Sequence, residues 1–400
     1  MQASPRTSNR PRMPASVWAL GFVSMFMDIS SEMIHSLLPL FMLDALGLAP
    51  LLIGLIEGAA EATALIVKVF SGVLSDYLGK RKGLALFGYG LGAASKPLFA
   101  IAASGGMVLT ARVIDRIGKG LRAAPRDALI ADVTPPEIRG AAFGLRQALD
   151  TTGAFLGPLL AIALMLVFQN QFRAVFWLAV IPGALAVLAL ALSVREPPRG
   201  KTAARANPLR RENLKRLNAA YWRVVAVGAV FTLARFSEAF LLLRAEQTGI
   251  ELAWTPLVMV AMNAVYMLGA YPFGKLSDRA SRRSLLSIGL GVLIAADLLL
   301  AAADSWPWLI AGVMCWGLHM SITQGLLSKL VADTAPPDLI GSAFGFFNLV
   351  SGLAMLAASA LAGAMWQYLG PAATFYCGAG FCGLSLILLA ALPNDAKTKR

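Results

Sequence analysis

The stretch GVLSDYLGKRK at residues 72–82 returns as GKLSDRASRR at residues 274–283, and ADVTPPEIRGAAFG at 131–144 returns as ADTAPPDLIGSAFG at 332–345. The first pair is offset by 202 residues and the second by 201. Two unrelated motifs that recur in the same order at nearly one spacing indicate a duplicated unit, because chance similarity does not preserve both order and distance. The sequence therefore predicts two homologous halves.

Outside these motifs the chain is strongly apolar. Of its 400 residues, 58% are hydrophobic and 14% are charged, and the mean hydropathy is +0.68. A soluble domain carries roughly 25% charged residues, so this chain has too few polar side chains to cover a water-facing surface. Apolar runs of about 20 residues, the length of a membrane-crossing helix, recur throughout. We therefore predict an all-α integral membrane protein that lies in the lipid bilayer.

Basic residues cluster in alternate connections between the apolar runs. The net charge is +13, and most of it lies at the two termini, after the second and eighth runs, and between the halves. On the other side we find only Arg173 and Arg244. This is the positive-inside pattern, which predicts that both termini and the middle loop are cytoplasmic in an inner-membrane protein. The basic excess is thereby explained by topology, and we expect no nucleic-acid partner.

Counting apolar runs by length predicts twelve spans. Those of the first half lie near 17–43, 51–74, 84–103, 107–128, 141–168 and 174–193, and those of the second near 224–243, 254–273, 284–303, 308–330, 343–365 and 372–392. The expected division is an N-terminal six-helix half, 1–194, a basic cytoplasmic linker, 195–223, and a C-terminal six-helix half, 224–400.

Twelve spans in two halves, with G-x-x-S-D-x-x-G-[KR]-[KR] between spans 2 and 3, resemble the major facilitator superfamily of transporters. The second copy has Ser281 where the motif prefers glycine. The resemblance implies transport by alternating access, with the motif as a latch on the cytoplasmic side; simple topology anchoring is the alternative. The residues expected to act in gating are Gly72, Asp76, Gly79, Lys80, Arg81, Gly274, Asp278 and Arg279.

Span 5 contains GAFLGPLLA at 153–161. Gly153, Gly157 and Pro158 resemble G-x-x-x-G-P-x-x-G, a motif of exporters that exchange substrate for protons, although Ala161 replaces the last glycine. Small residues let membrane helices approach closely, and proline bends a helix. Ordinary helix packing also uses Gly-x-x-x-Gly. The resemblance favours export over import.

Ionisable side chains occur inside the predicted spans. Asp28, Glu32 and His35 follow each other at spacings of four and three in span 1, which places them on one helix face. A charge that faces lipid is costly, so this face should line the bundle interior or a water-filled cavity. Glu57 and Glu61, four residues apart in span 2, repeat the pattern.

A carboxylate that is buried without a full partner can take up a proton near neutrality. We therefore predict that Asp28 carries the coupling proton, because exporters of the family that the chain resembles often place an acid in span 1. Glu32, Glu57 and Glu61 are the next candidates. The alternative is that these acids only form ion pairs between helices. His35 is expected to make a polar contact or to relay protons.

Span 4, ARVIDRIGKGLRAAPRD at 111–127, is the most charged. A cationic cavity would suit an anionic substrate unless the acids of spans 1 and 2 neutralise it. In the second half, Arg235 and Glu238 are predicted to pair. The polar side chains expected to line a substrate cavity, with packing hydrogen bonds as the alternative, are His35, Arg112, Asp115, Arg116, Arg146, Asp150, Arg235, Glu238, Asn263, Tyr266, His319 and Gln324.

Enzyme and cofactor signatures are absent from the sequence. The sequence contains no Walker-type glycine loop, so it offers no reason to expect ATP as the energy source. The chain has two histidines and three cysteines without clustered spacing, so we predict no metal site and no disulfide framework. We expect no catalytic residues and no cofactor.

The function predicted from these features is secondary transport by a monomer, with a small-molecule substrate and protons as its partners. The leading hypothesis is proton-coupled export (antiport) of a drug, a siderophore or a metabolite. Import of a small organic anion is the alternative, favoured if the arginines of span 4 reach the cavity. A lipid flippase would need a lateral opening, and a membrane sensor would normally need a soluble domain.

Overall fold

The computed structural model describes residues 13–78, 81–194, 214, 216–277, 280–323, 325–336 and 339–391. Within these residues the chain is helical and contains no strand. Eleven of its helices are long and apolar enough to cross a membrane. A further 29-residue helix, Gly105–Val133, has the length of a span but carries the charges of span 4. The prediction of an all-α membrane protein is confirmed, and this helix brings the count to the expected twelve.

The twelve spans are numbered α1 to α12 in chain order. The first six are α1 Ala15–His35, α2 Pro50–Leu78, α3 Arg81–Ile101, α4 Gly105–Val133, α5 Arg139–Val167 and α6 Phe172–Ser193. The second six are α7 Ala219–Gln247, α8 Leu257–Leu276, α9 Arg282–Ala301, α10 Trp306–Thr334, α11 Ile340–Leu369 and α12 Pro371–Ala390. Short helical turns follow α1 and precede α5 and α8, at Leu38–Leu40, Phe41–Ala45, Pro136–Ile138 and Leu252–Trp254.

Side-chain caps explain where several helices begin. The hydroxyl of Ser104 accepts a hydrogen bond from the Met107 N–H at the start of α4. Ser281 does the same for the Ser284 N–H at the start of α9. An N-cap oxygen satisfies a backbone N–H that has no partner inside the helix. The serine that replaces the motif glycine in the second repeat therefore has a structural role, because it starts α9.

The repeated motifs make equivalent ion pairs in the two halves. Arg81 Nη1 lies 2.6 Å from Asp132 Oδ2 and joins α3 to α4. Arg282 forms an ion pair with Asp333 and joins α9 to α10. Both residues of the second pair follow those of the first by 201 positions. The end of the bundle that holds these two pairs is called the basic end below, and the other is called the opposite end.

The two halves approach each other closely along α2 and α11. A Cβ at Gly54 would overlap the carbonyl oxygen of Ser359, and one at Gly363 would stand 2.5 Å from Pro50 O. Only glycine permits such backbone contact between membrane helices. Because Pro50 starts α2 at the opposite end, this contact closes the bundle on that side.

Candidate functional site

Two adjacent cavities lie between the halves. The central cavity has a volume of about 280 Å³, and the basic-end cavity has a volume of about 290 Å³. Glu32 and Lys119 line both, so they mark the junction between them. The ionisable residues around the central cavity are Glu32, His35, Glu57, Glu61, Arg112, Arg116, Lys119, Arg235 and Glu238. The polar residues around the basic-end cavity include Asp28, Arg122, Arg126, Gln147, Asp150, Thr151, Asn263 and Tyr266.

Helix α7 is interrupted where it meets the central cavity. Its helical segments are Ala219–Ala234 and Ala239–Gln247. In the gap, Ser237 N donates a hydrogen bond to Ser359 Oγ at 3.1 Å. Non-helical backbone is tolerated at membrane depth where it is buried in protein or lines a cavity, and this segment does line the cavity.

The interruption also separates two side chains that sequence analysis predicted to pair. Arg235 and Glu238 both line the central cavity, but no ion pair joins them in the described part of the chain. A spacing of three brings side chains together only on a continuous helix. The predicted pair is therefore not a close ion pair: both side chains line the cavity and interact electrostatically over a longer distance.

Acidic residues of α2 pair with arginines of α4 across the central cavity wall. Arg112 forms a buried ion pair with Glu57. One turn further along, Arg116 Nη2 lies 3.0 Å from Glu61 Oε1 and 3.3 Å from His35 Nδ1. The arginines of span 4 thus reach the cavity, with their charges largely compensated by α2.

Asp115 lies behind this wall, outside both cavities. Its Oδ1 accepts a hydrogen bond of 2.8 Å from Lys96 Nζ, and its Oδ2 lies 3.6 Å from His35 Nε2. Lys96 is fully buried and also donates to Ser31 Oγ at 3.0 Å. Sequence analysis missed Lys96, although its position inside an apolar run next to Pro97 was a signal that it is buried.

The glycines of span 5 bring α5 against the acidic face of α1. A Cβ at Gly153 would stand 3.0 Å from the Asp28 Cβ and 2.7 Å from Met25 O. One at Gly157 would stand 2.5 Å from the Glu32 Cβ. The close approach that the Gly-x-x-x-Gly spacing predicts therefore occurs beside the two acids of α1, and buried Pro158 follows directly.

Asp28 is loosely held in the basic-end cavity. Its Oδ1 is 4.0 Å from Arg122 Nη2, and the Arg122 guanidinium also lies 4.9 Å from the centre of the Tyr89 ring. Asp150, by contrast, accepts from Arg146 Nη1 at 2.6 Å. Arg146 itself lines neither cavity and serves to hold Asp150.

Several predicted residues lie elsewhere. His319 lies outside both cavities; it is fully buried, and its Nδ1 lies 2.8 Å from Gly289 O, so it links α10 to α9. Asn263, by contrast, lines the basic-end cavity, where its Nδ2 donates to Ala154 O at 3.3 Å and links α8 to α5. Outside the described residues are Gly79, Lys80, Asp278, Arg279, Gln324 and most of the linker, and the side chain of Asp76 is not described.

Two further charged residues were not among the predicted site residues. Lys119 is exposed to both cavities, and no ion pair reaches it in the described part of the chain. Asp297 of α9 is fully buried against Gly378, and neither of its carboxylate oxygens has a hydrogen-bond partner among the described residues. A single acid within an apolar run was its only signal in the sequence.

Two helical halves around a charged cavity at membrane depth define a membrane transporter. The chain belongs to the Major Facilitator Superfamily, whose sequence model matches residues 20–262 and 224–400. The predicted family is thereby confirmed.

Individual proteins of known sequence or structure are similar to the chain over most of its length. An uncharacterized MFS-type transporter of Methanocaldococcus jannaschii is 32% identical over 95% of this chain and 96% of its own. The quinolone resistance protein NorA of Staphylococcus aureus is 27% identical over 74% of this chain and 76% of its own. The crystal structure of the human organic anion transporter MFSD10 matches with a TM-score of 0.70 and 19% identity, over 95% of this chain and 100% of that one.

Proposed function

We propose that this transporter exports a small organic molecule in exchange for protons. The observation that carries the proposal is the difference between the acids of α1 and α2. Glu57 and Glu61 are held by arginines of α4. Asp28 and Glu32 face the cavities, and their nearest basic atoms are 4.0 and 3.8 Å away. Acids without a close partner, at a site open to water, are suited to binding and releasing protons.

Export is supported by two further observations. Gly153 and Gly157 place α5 against Asp28 and Glu32, so the motif typical of proton-exchanging exporters contacts the acids that would carry the protons. Among the similar proteins is NorA, whose name records quinolone resistance. A resistance protein of this family lowers the internal concentration of its compound most simply by moving it out.

Alternating access gives the protons and the substrate a shared route. The halves contact closely at the opposite end through Gly54 and Gly363, while the basic-end cavity lies among α1, α4, α5 and α8 on the other side. With both termini and the linker in the cytoplasm of an inner-membrane protein, this conformation faces inward. We assign the gating role to the repeated motifs, where Arg81–Asp132 and Arg282–Asp333 brace each half.

The test uses a host that lacks its own efflux pumps. Growth is compared across a panel of toxic compounds with wild type, Asp28→Asn, empty vector and Glu251→Gln, a matched control at an exposed acid outside both cavities. We expect resistance with wild type and with Glu251→Gln, and its loss with Asp28→Asn at equal membrane abundance. Resistance that survives in Asp28→Asn would remove Asp28 from the mechanism, and sensitisation by wild type would contradict export.

Import of a small organic anion is the second candidate, because Arg112, Arg116 and Lys119 all line the central cavity. The ion pairs to Glu57 and Glu61 weaken this candidate, since they compensate both arginines. Uptake of labelled carboxylates into cells under an inward proton gradient distinguishes the two functions. Accumulation above the empty-vector level favours import, and reduced accumulation favours export.

A further inference from the structure

The central cavity has a balanced set of charges. Four carboxylates and four basic side chains line it: Glu32, Glu57, Glu61, Glu238, Arg112, Arg116, Lys119 and Arg235. Two carboxylates and two arginines compensate each other in the Arg112–Glu57 and Arg116–Glu61 pairs. What remains for a substrate is one carboxylate and one cation in each half: Glu32 and Lys119 from α1 and α4, and Glu238 and Arg235 from α7.

These four side chains are available to a ligand. No ion pair reaches Lys119, Arg235 or Glu238 in the described part of the chain, and the only one to Glu32 is a 3.8 Å contact with His35. The break in α7 places Arg235 and Glu238 at the cavity wall, where they interact electrostatically but form no ion pair within 4 Å among the described residues. Each half therefore presents both signs of charge.

Apolar side chains also line the central cavity, beside the polar His35 and Ser237. They include Phe236, Leu242, Met259, Trp316 and Met355, and the Phe236 and Trp316 rings pack with their centres 5.4 Å apart. Apolar side chains in a cavity bind a ligand body by burial, and the charged side chains around them orient it. The ligand that fits carries an apolar group as well as charges.

We propose that the central cavity binds an amphipathic zwitterion, a small molecule with one ammonium and one carboxylate group on an apolar body; this rests on the proposed function of the cavity as the transport site. A net cation or a net anion would leave one excess charge in a cavity whose own charges are balanced, and an uncompensated charge is unfavourable wherever the ligand is withdrawn from water. A zwitterion adds no net charge. Its carboxylate can meet Lys119 or Arg235, and its ammonium Glu32 or Glu238.

The test measures binding to the purified full chain in detergent, with no proton gradient. Four probes share one scaffold: L-phenylalanyl-L-phenylalanine (zwitterion), its C-terminal amide (cation), its N-acetyl derivative (anion) and the N-acetyl amide (neutral). A ligand that binds only the folded state stabilises it by RT ln(1 + L/Kd), where L is the ligand concentration, so at equal concentration the tighter-binding probe raises the melting temperature more. We expect the dipeptide to raise Tm by a few degrees and each blocked derivative to give less than half of that shift.

Single-charge variants sharpen the test. Lys119→Gln leaves the cavity with one excess negative charge, so the amide should become the best probe. Glu238→Gln leaves one excess positive charge, so the N-acetyl derivative should become the best. If Lys119→Gln fails to fold, Arg235→Gln takes its place, because it removes the same charge. The control variant Glu251→Gln should rank the four probes as wild type does. A wild type that prefers a blocked probe, an order that no variant changes, or no shift with any probe would overturn the proposal.

The result is separable from the proposed export. Zwitterion binding that follows the charge variants, in a protein whose transport moves no protons, would uphold the inference and reject proton exchange. Proton-coupled export of a compound that carries only a net positive or a net negative charge would uphold the function and reject the inference.

Discussion

Glu57 and Arg112 form an ion pair in the wall of the central cavity, where both residues are nearly excluded from solvent, at 3% and 2% exposure. The pair ties α2, which packs against α11 of the other half, to α4, which carries most of the basic residues of the cavity. Some charged side chains of the cavity therefore hold helices together, while others are left to bind a ligand.

The first prediction concerns this pair. Arg112→Met should destabilise the protein by roughly 3–5 kcal/mol, because it leaves a buried carboxylate without its partner. The double variant Arg112→Met/Glu57→Met removes both charges and should recover most of the stability that Arg112→Met loses. Thermal melting of the purified variants measures both effects. A double variant that melts as low as the single one would show that the charges do not depend on each other.

The second prediction compares the two repeated ion pairs at the basic end. The side chains of Arg81 and Asp132 are 13% and 15% exposed, whereas those of Arg282 and Asp333 are 36% and 46% exposed. Water and salt screen exposed pairs, which typically contribute about 0–1 kcal/mol. Double-mutant cycles with alanine, read by thermal melting, should therefore give the larger coupling for Arg81–Asp132. Equal couplings would mean that exposure does not set their strength.

The third prediction concerns the closure at the opposite end. Gly54→Ala should hold α2 away from α11, because its methyl group would meet the backbone of Ser359. We expect transport to fall sharply. The contact can be followed by cross-linking a Leu51→Cys/Gln367→Cys pair in a protein without the native cysteines, because Leu51 N and Gln367 Oε1 lie 3.4 Å apart. The yield of this cross-link should fall together with transport.

Gly90→Ala is the control for the third prediction, since nothing lies within 4 Å of its added methyl group. It should transport and cross-link like wild type. Unchanged cross-linking in Gly54→Ala would show that the halves do not separate when this contact is blocked.

The fourth prediction concerns the approach of α5 to α1. Gly157→Ala should displace Glu32, whose Cβ would be 2.5 Å from the new methyl group, and should reduce transport several-fold at normal membrane abundance. Gly144→Ala changes the same helix where nothing lies within 4 Å, so it should behave as wild type. Equal transport activity of the two variants would show that the close approach of Gly157 to Glu32 is not needed for transport.

The features that the sequence predicts well are those set by local periodicity and by repetition. The twelve predicted spans appear as helices, eleven of them apolar enough to cross a membrane. The spacing of Asp28, Glu32 and His35 predicted one face of α1, which lines the two cavities. These features need only hydropathy and the helical period. The duplicated motifs likewise recur as equivalent ion pairs in the two halves.

The features that the sequence does not predict depend on contacts between distant segments. The break in α7 occurs at RFSE without proline or glycine, and Ser359 of α11 bonds to its backbone. Which acid meets which base depends on the rotation of α2 against α4, so the pairing of Glu57 with Arg112 could be expected only as one of several possibilities. Lys96 and Asp297 are single charges in apolar runs, and only packing shows that they are buried.

The most direct test of the central claim is proton movement in everted membrane vesicles that hold an acid interior. A compound to which wild type gives resistance should release protons from the vesicles, seen as recovery of a pH-sensitive dye. Asp28→Asn at equal abundance should give no recovery, and Glu251→Gln should match wild type. Full recovery with Asp28→Asn, or export by wild type without any proton release, would contradict the account.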